Sequence, residues 1–261
     1  MAINIGIIGV GVVGNAVYQF YKNKYDTYRY DIQKNYDVFD DVAKCDFIFV
    51  CVWTPQGKVD SVLDVFSKLS ESGSKGIVIL KSTVPPGTTS KLSKKFKNLK
   101  IVFSPEFLTE RSAVQDFENP DRIVIGYKDY DTLIKVMNFF KKDFTCPLIV
   151  TDYTTAELIK LAHNNFYALK VIFSNYIYEL ARAIGANYDD VRRSFYCDKR
   201  LASSHFDVWH DGYRGFSGKC LPKDLDTLLE VMRDNGIDYE LFKIMKDKNK
   251  LLLSGKDLRI R

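Results

Sequence analysis

Short apolar runs alternate with amphipathic stretches along the first part of the chain. Residues 3–8, 27–31, 47–52, 77–81, 101–104, 123–127 and 148–151 are brief, rich in Ile, Val and Phe, and read as strands. Between most of them, residues 12–22, 60–71, 88–97 and 130–141 carry apolar positions at helical spacing. The stretch from Phe107 to Asn119 is less regular. This alternation predicts an α/β fold, a doubly wound parallel sheet with helices on both faces. Ligands of such sheets bind at the carboxyl ends of the strands.

The period then changes. From Thr154 to about Ile184 apolar residues recur only at helical spacing, with Thr154 or Thr155 as a candidate cap and Gly185 as the stop. This predicts one long helix, of the kind often buried between domains or subunits. Helices over 189–195, 221–235 and 239–253 follow. The boundary between the two regimes falls near residue 150, and no repeat or low-complexity segment is present.

Composition narrows the class. A chain of 261 residues, 46% hydrophobic and 27% charged, has material for one large domain or two modest ones. No apolar run is long enough to span a bilayer, and the first strand is too short for a signal-peptide core. A cytoplasmic protein without a membrane partner is expected. The net charge of +5 is mild. Much of it lies late, where Lys243, Lys246, Lys248, Lys250, Lys256, Arg259 and Arg261 face Asp247 and Asp257. That run reads as a solvated helix face and tail, and no nucleic-acid motif accompanies it. The five cysteines form no CxxC pair, so neither a metal site nor a disulfide framework is expected. Cys45, Cys51 and Cys146 lie in or beside apolar strands and read as core.

Gly9-Val10-Gly11-Val12-Val13-Gly14 is a GxGxxG that follows the first strand directly and opens the first helix. In that setting Gly9 permits the tight turn, Gly11 admits a pyrophosphate to the helix N-terminus, and Gly14 lets helix and strand pack. The next strand ends at Asp31. A carboxylate there accepts from a ribose 2′-hydroxyl and repels a 2′-phosphate, which favours NAD over NADP. The expectation is an NAD-binding Rossmann domain over 1–152 and an all-helical domain over 153–261.

A second chemical feature lies in that later region. Gly215-Phe216-Ser217-Gly218-Lys219-Cys220-Leu221-Pro222-Lys223-Asp224 reads as a glycine loop feeding a helix, with Pro222 suited to the first turn. The helix dipole, Lys219 and Lys223 would favour a thiolate at Cys220, and Asp224 falls one turn on. The same run also fits a small buried cysteine flanked by exposed lysines.

Several strings, in order, resemble the UDP-glucose/GDP-mannose dehydrogenase family. Besides the glycine turn they are residues 81–88 (KSTVPPGT), 104–110 (SPEFLTE), 119–126 (NPDRIVIG), 156–164 (AELIKLAHN) and 218–224 (GKCLPKD). The resemblance implies NAD-dependent oxidation of a sugar's primary alcohol to a carboxylate in two steps, on a nucleotide-sugar substrate. It implies that Lys160 and Asn164 stabilise alkoxide and oxyanion, their spacing putting both on one helix face. Asp224 would be the base, Cys220 the nucleophile, and Glu106 with Thr83 would position the hydrolytic water. Val10, Val13, Thr54, Thr83, Glu110 and Lys223 would join the glycine turn and Asp31 at the cofactor. Phe107, Leu108, Glu110, Lys160, Asn164, Phe216 and Gly218 would line the sugar. Arg200 resembles the arginine placed in a partner subunit's site, within a homodimer built on the long helix. Taken singly, Thr83 also reads as a strand end, Glu106 as a turn cap, Lys160 as a solvated helix residue and Asn164 as a core-edge hydrogen bonder. His163 reads as a packed helix residue.

The pattern departs from the family at two places. Trp53 stands where the family usually has Pro, before Thr54-Pro55. The chain stops at Arg261, soon after a helix resembling the connector to the family's second Rossmann-like domain. A separate chain supplying that domain, a more open site, or a sugar on another carrier would each accommodate this. Two other functions are weighed: a non-catalytic NAD-binding subunit, and a one-step β-hydroxyacid-type dehydrogenase, which has no need of Cys220.

Overall fold

The computed structural model describes residues 3–202, 204–210 and 212–255. The chain divides into two compact units, one up to Lys160 and one from Leu161 onward.

The first unit is built on β1 (Asn4–Ile8), β2 (Asp26–Tyr30), β3 (Phe47–Val50), β4 (Ile77–Leu80), β5 (Lys100–Phe103), β6 (Ile123–Tyr127) and β7 (Leu148–Asp152). They form one sheet in the order β2-β1-β3-β4-β5-β6-β7. Interleaved are α1 (Val12–Tyr21), α2 (Phe39–Ala43), α3 (Asp60–Glu71), α4 (Thr88–Lys95), α5 (Ala113–Glu118) and α6 (Tyr130–Asp143). Strand side chains alternate between two cores. Ile5, Ile7, Phe47, Phe49, Ile79 and Val102 bury against α1, α5 and α6 through Val17, Phe20, Phe117 and Phe139. Phe47 and Phe139 stack at 4.1 Å. On the other face Ile8, Ile48, Val50, Val78 and Leu80 bury against Val42, Val62, Phe66 and Leu92 of α2, α3 and α4. Strands covered on both faces must be apolar at every position, which is why β3 and β4 read as continuous runs.

The sheet is parallel from β2 through β5, in register such as Ile5↔Phe47 and Phe47↔Ile77. At β6 the direction reverses: Phe103 pairs Gly126 antiparallel, and β7 then runs parallel to β6. The β5–β6 connection explains the departure from an all-parallel sheet. Its short α5 packs on α1, with Phe117 meeting Phe20 at 5.4 Å, and it supplies no full crossover helix of the kind a parallel neighbour needs.

Helix α7 (Tyr153–Ile184) is the expected long helix. Its N-terminal hydrogen bonds come from Asp152, one residue before the helix and ahead of the predicted threonine caps. The Asp152 carboxylate accepts from Thr155 N–H at 3.0 Å and Thr155 Oγ1 at 2.6 Å. Thr155 is therefore a donor to the cap. At the other end Gly185 adopts φ +74°, and Ala186 N–H closes on the Ala181 carbonyl at 2.8 Å.

The second unit holds the later part of α7, α8 (Tyr188–Cys197), α9 (Leu221–Asp234) and α10 (Glu240–Leu253). Its core gathers Ala168, Val171, Ile172, Phe216, Leu225, Met245 and Leu252. A small antiparallel hairpin, β8 (Trp209–His210) with β9 (Tyr213–Arg214), interrupts the expected all-helical character. The late basic run is laced to acidic partners: Lys246 to Asp226, Lys248 to Glu179, Lys243 to Glu240 and Lys250 to Asp247. Lys248 is buried, so it is no part of a solvated face. Lys256, Asp257, Arg259 and Arg261 lie outside the described residues. No helix among the described residues is long and apolar enough to cross a membrane.

Candidate active site

In the first unit the strand order switches between β1 and β3, where a doubly wound sheet opens a crevice at its carboxyl edge. The glycine turn lies there. Gly9 has φ +86°, and a Cβ on it would fall 2.9 Å from the Cys51 carbonyl carbon and oxygen. A Cβ on Gly14 would fall 2.0 Å from the Gly9 carbonyl oxygen. Gly11, the residue before α1, has open space where a Cβ would point. A dinucleotide's pyrophosphate needs that clearance in front of the first N–H groups of α1. Asp31, just past β2, accepts from Val10 N–H at 2.7 Å and Gln33 N–H at 2.9 Å. A carboxylate has lone pairs to spare for a ribose hydroxyl. Lys34 Nζ donates to the Val10 carbonyl at 2.6 Å. The residues fit NAD.

A charged cluster lies at the carboxyl ends of β3, β4 and β5. Lys160 Nζ is 3.4 Å from Glu106 Oε1, and both side chains are largely buried. Glu106 Oε2 accepts from Leu108 N–H at 2.6 Å, so the turn reading and the ion pair hold together. The Phe107 ring lies 5.3 Å from Lys160 Nζ and 4.2 Å from the Arg122 guanidinium. Two neighbours, Lys81 and Cys51, were not assigned to the site from the sequence. Lys81 is buried at the end of β4 and donates to the Pro105 carbonyl at 3.2 Å. Burial lowers its amine to about 8; Cys51 and Glu106 oppose that shift and Lys160 adds to it. Burial pushes the Cys51 thiol up to about 12, countered by Lys81 and reinforced by Glu106. In the sequence Lys81 closes an apolar strand and heads the string over 81–88. The Thr83 carbonyl accepts from Thr54 Oγ1 at 2.7 Å, tying the ends of β3 and β4. Glu110 is exposed and opens a short 3-10 turn, and Trp53 is half exposed.

In the second unit Cys220 is exposed and stands immediately before α9. Asp224 Oδ2 accepts from Asn164 Nδ2 at 2.5 Å, and Oδ1 accepts from Lys223 Nζ at 2.6 Å. Asp224 is 1% exposed, so an amide and an ammonium compensate its buried charge. Lys223, expected beside the thiol and the cofactor, gives its ammonium to this carboxylate because it too is buried. Asn165 Nδ2 donates to the Asp224 carbonyl at 3.1 Å. Phe216 is a core side chain, and a Cβ at Gly218 would meet open space. Arg200 is exposed in the turn after α8 and bonds back to Asp198 at 2.6 Å. Lys170 holds that turn by the Leu201 and Ala202 carbonyls at 3.0 and 3.2 Å. His163 packs edge-on against Tyr167, which stacks on His205 at 3.8 Å.

A sheet whose switch point carries this glycine turn, with an acidic residue just past the next strand, defines a dinucleotide-binding Rossmann fold. Residues 12–143 match the model described as "UDP-glucose/GDP-mannose dehydrogenase family, NAD binding domain", and residues 154–251 match that family's central domain. The chain belongs to the UDP-glucose/GDP-mannose dehydrogenase family, and NAD is its cofactor. It is 34% identical over 221 residues to a UDP-glucose 6-dehydrogenase of Rickettsia conorii, covering 81% of this chain and 50% of that enzyme. It is 35% identical over 217 residues to one from Rhizobium meliloti, covering 77% and 49%. Among solved structures, a UDP-glucose dehydrogenase from Pyrobaculum islandicum superposes with a TM-score of 0.84 at 25% identity, over 96% of this chain and 68% of that one. The chain thus spans about half the length of the curated relatives it matches.

Proposed function

We propose that this chain carries the oxidation chemistry of a nucleotide-sugar 6-dehydrogenase, with UDP-glucose as substrate and UDP-glucuronate as product. The observation that carries the reading is the Asp224 carboxylate, held by Asn164 and Lys223 one helical turn after the exposed Cys220. A carboxylate fixed by an amide and an ammonium, in the turn that follows an exposed thiol, supplies the pairing of base and nucleophile that this chemistry needs. The relatives' names supply the substrate class.

NAD, bound at the glycine turn with its ribose at Asp31, supplies the hydride acceptor for both oxidations. Asp224 takes the proton of the sugar's primary hydroxyl, directly or through a water. Lys160 and Asn164, one turn apart on α7, stabilise the oxygen as its charge develops. The Cys220 thiolate adds to the aldehyde carbon, giving a thiohemiacetal, whose oxidation leaves a thioester. Glu106, aided by Thr83, orients the water that hydrolyses it, releasing the carboxylate and restoring the thiol. Phe107, Leu108, Glu110 and Gly218 line the sugar, Phe216 supports that wall from the core, and Val10, Val13 and Thr54 flank the cofactor. The working unit is a cytoplasmic homodimer associated through α7, with Arg200 serving the partner's sugar site. The exposed apolar residues Phe166, Phe173, Leu180 and Ile184 on α7 support this.

The test is stoichiometry. The chain with UDP-glucose and NAD should form two NADH per sugar consumed, and Cys220→Ala should form no uronate. One NADH per sugar would point to a one-step dehydrogenase. NAD binding with no NADH from any nucleotide sugar would leave a non-catalytic subunit.

A further inference from the structure

The loop that delivers Cys220 is gripped from α10. Phe216 N–H donates to Asn249 Oδ1 at 2.7 Å, and Asn249 Nδ2 donates to the Phe216 carbonyl at 2.8 Å. A single side-chain amide thereby satisfies both backbone groups of one loop residue, as a neighbouring strand would. Both residues are buried. The preceding Gly215 sits at φ +84°, and a Cβ there would fall 2.5 Å from Asn249 Oδ1 and 3.2 Å from Leu252 Cβ. The loop can lie this close to α10 only because that position is glycine.

A second grip acts one residue further upstream. Arg214 is 5% exposed; its Nη2 donates to Glu179 Oε1 at 2.6 Å and its Nε to Asn175 Oδ1 at 3.0 Å. Lys248, next to Asn249 on α10, donates to Glu179 Oε2 at 2.9 Å. Glu179 therefore joins the loop to α10 through two cations. Buried charge pairs of this kind fix geometry, because losing one partner strands the other.

We propose that Asn249 and Lys248 of α10 are positioning residues for Cys220. They hold the loop over residues 214–219 so that the thiol stays at the N-terminus of α9. The favourable potential of a helix end decays within the first turn, so a slack loop that lets the thiol drift weakens thiolate formation. The inference rests on the reading of Cys220 as the nucleophile, but its test needs no turnover.

Iodoacetamide alkylation of the whole chain, resolved by peptide mass spectrometry, gives the Cys220 rate against that of Cys197, which is also exposed. Asn249→Ala is expected to slow Cys220 about threefold relative to Cys197 at neutral pH. Lys248→Met, which leaves Glu179 paired with Arg214, should slow it less. Thermal melting by circular dichroism identifies which variants are folded. An unchanged or faster relative rate in folded Asn249→Ala overturns the proposal; should that variant not fold, the same result in Lys248→Met overturns it. Absence of NADH formation by the native chain would instead remove the reaction proposed above and leave this ratio to decide the positioning.

Discussion

Lys81 closes a strand whose residues are all buried, and burial holds its amine at about 8, against an ordinary 10.5. Between those values the unfolded chain binds a proton that the folded chain releases. The group's contribution to stability therefore rises with pH across that window and is lowest below it. Cys51 acts in the opposite sense above pH 9, because the folded thiol keeps its proton to about 12. Urea titrations at about pH 8 and pH 9 should show stability varying less steeply in Lys81→Met than in the native chain; parallel dependences would remove Lys81 from the account. His205 offers the acid counterpart. Burial, then Lys170 and His210, lowers it from 6.5 to about 4, with Asp207 opposing. On acidification through that window the unfolded chain gains a proton the folded chain refuses, so stability falls. His205→Phe, which keeps a ring against Tyr167, should flatten the acid limb of a melting-temperature profile.

Elements are joined here by caps that reach across the fold. Glu157 on α7 is fully buried and accepts from Gly87 N–H at 2.5 Å and Thr89 N–H at 2.7 Å, at the start of α4. Burial raises its pKa against the pull of those bonds. Glu157→Ala leaves a buried Thr89 N–H and a part-buried Gly87 N–H without this acceptor and should cost about 2–4 kcal/mol in urea denaturation. Glu157→Gln keeps one acceptor oxygen and should cost about half as much. The turn between β1 and α1 is equally intolerant. Gly14→Ala drives a methyl into the Gly9 carbonyl and should cost about 1–3 kcal/mol as α1 is pushed off β1. The same shift displaces the N–H groups meant for the pyrophosphate, so a fluorescence titration should show weaker NAD binding.

At the scale of the molecule, one apolar face of α7 is left uncovered among the described residues: Phe166 is 58% exposed, Leu180 53% and Ile184 70%. A second copy laid on this face would bury it, and the association proposed above predicts a solution mass about twice 30.0 kDa. Leu180→Glu should halve the mass measured by light scattering without changing the circular-dichroism spectrum. A monomeric mass for the native chain would separate Arg200 from any partner's site.

Strand positions, the glycine turn, Asp31 and the long helix were legible in the chain because each follows from a local period or a backbone demand. Residues 60–71 and 123–127 are the α3 and β6 of the structure to the residue. The motif strings likewise brought forward Glu106, Lys160, Asn164, Cys220 and Asp224, the residues on which the proposed reaction draws, because their spacing and order are linear properties. Three things needed the tertiary structure. The reversal at β6 depends on where α5 packs, which no period encodes. That the Lys223 ammonium reaches the Asp224 carboxylate with both side chains buried depends on packing, which no spacing encodes. The contacts of Lys81, Asn249 and Lys248 are not written in any local pattern: a buried polar side chain acquires its role from the partners that folding brings to it, and those partners are distant in sequence.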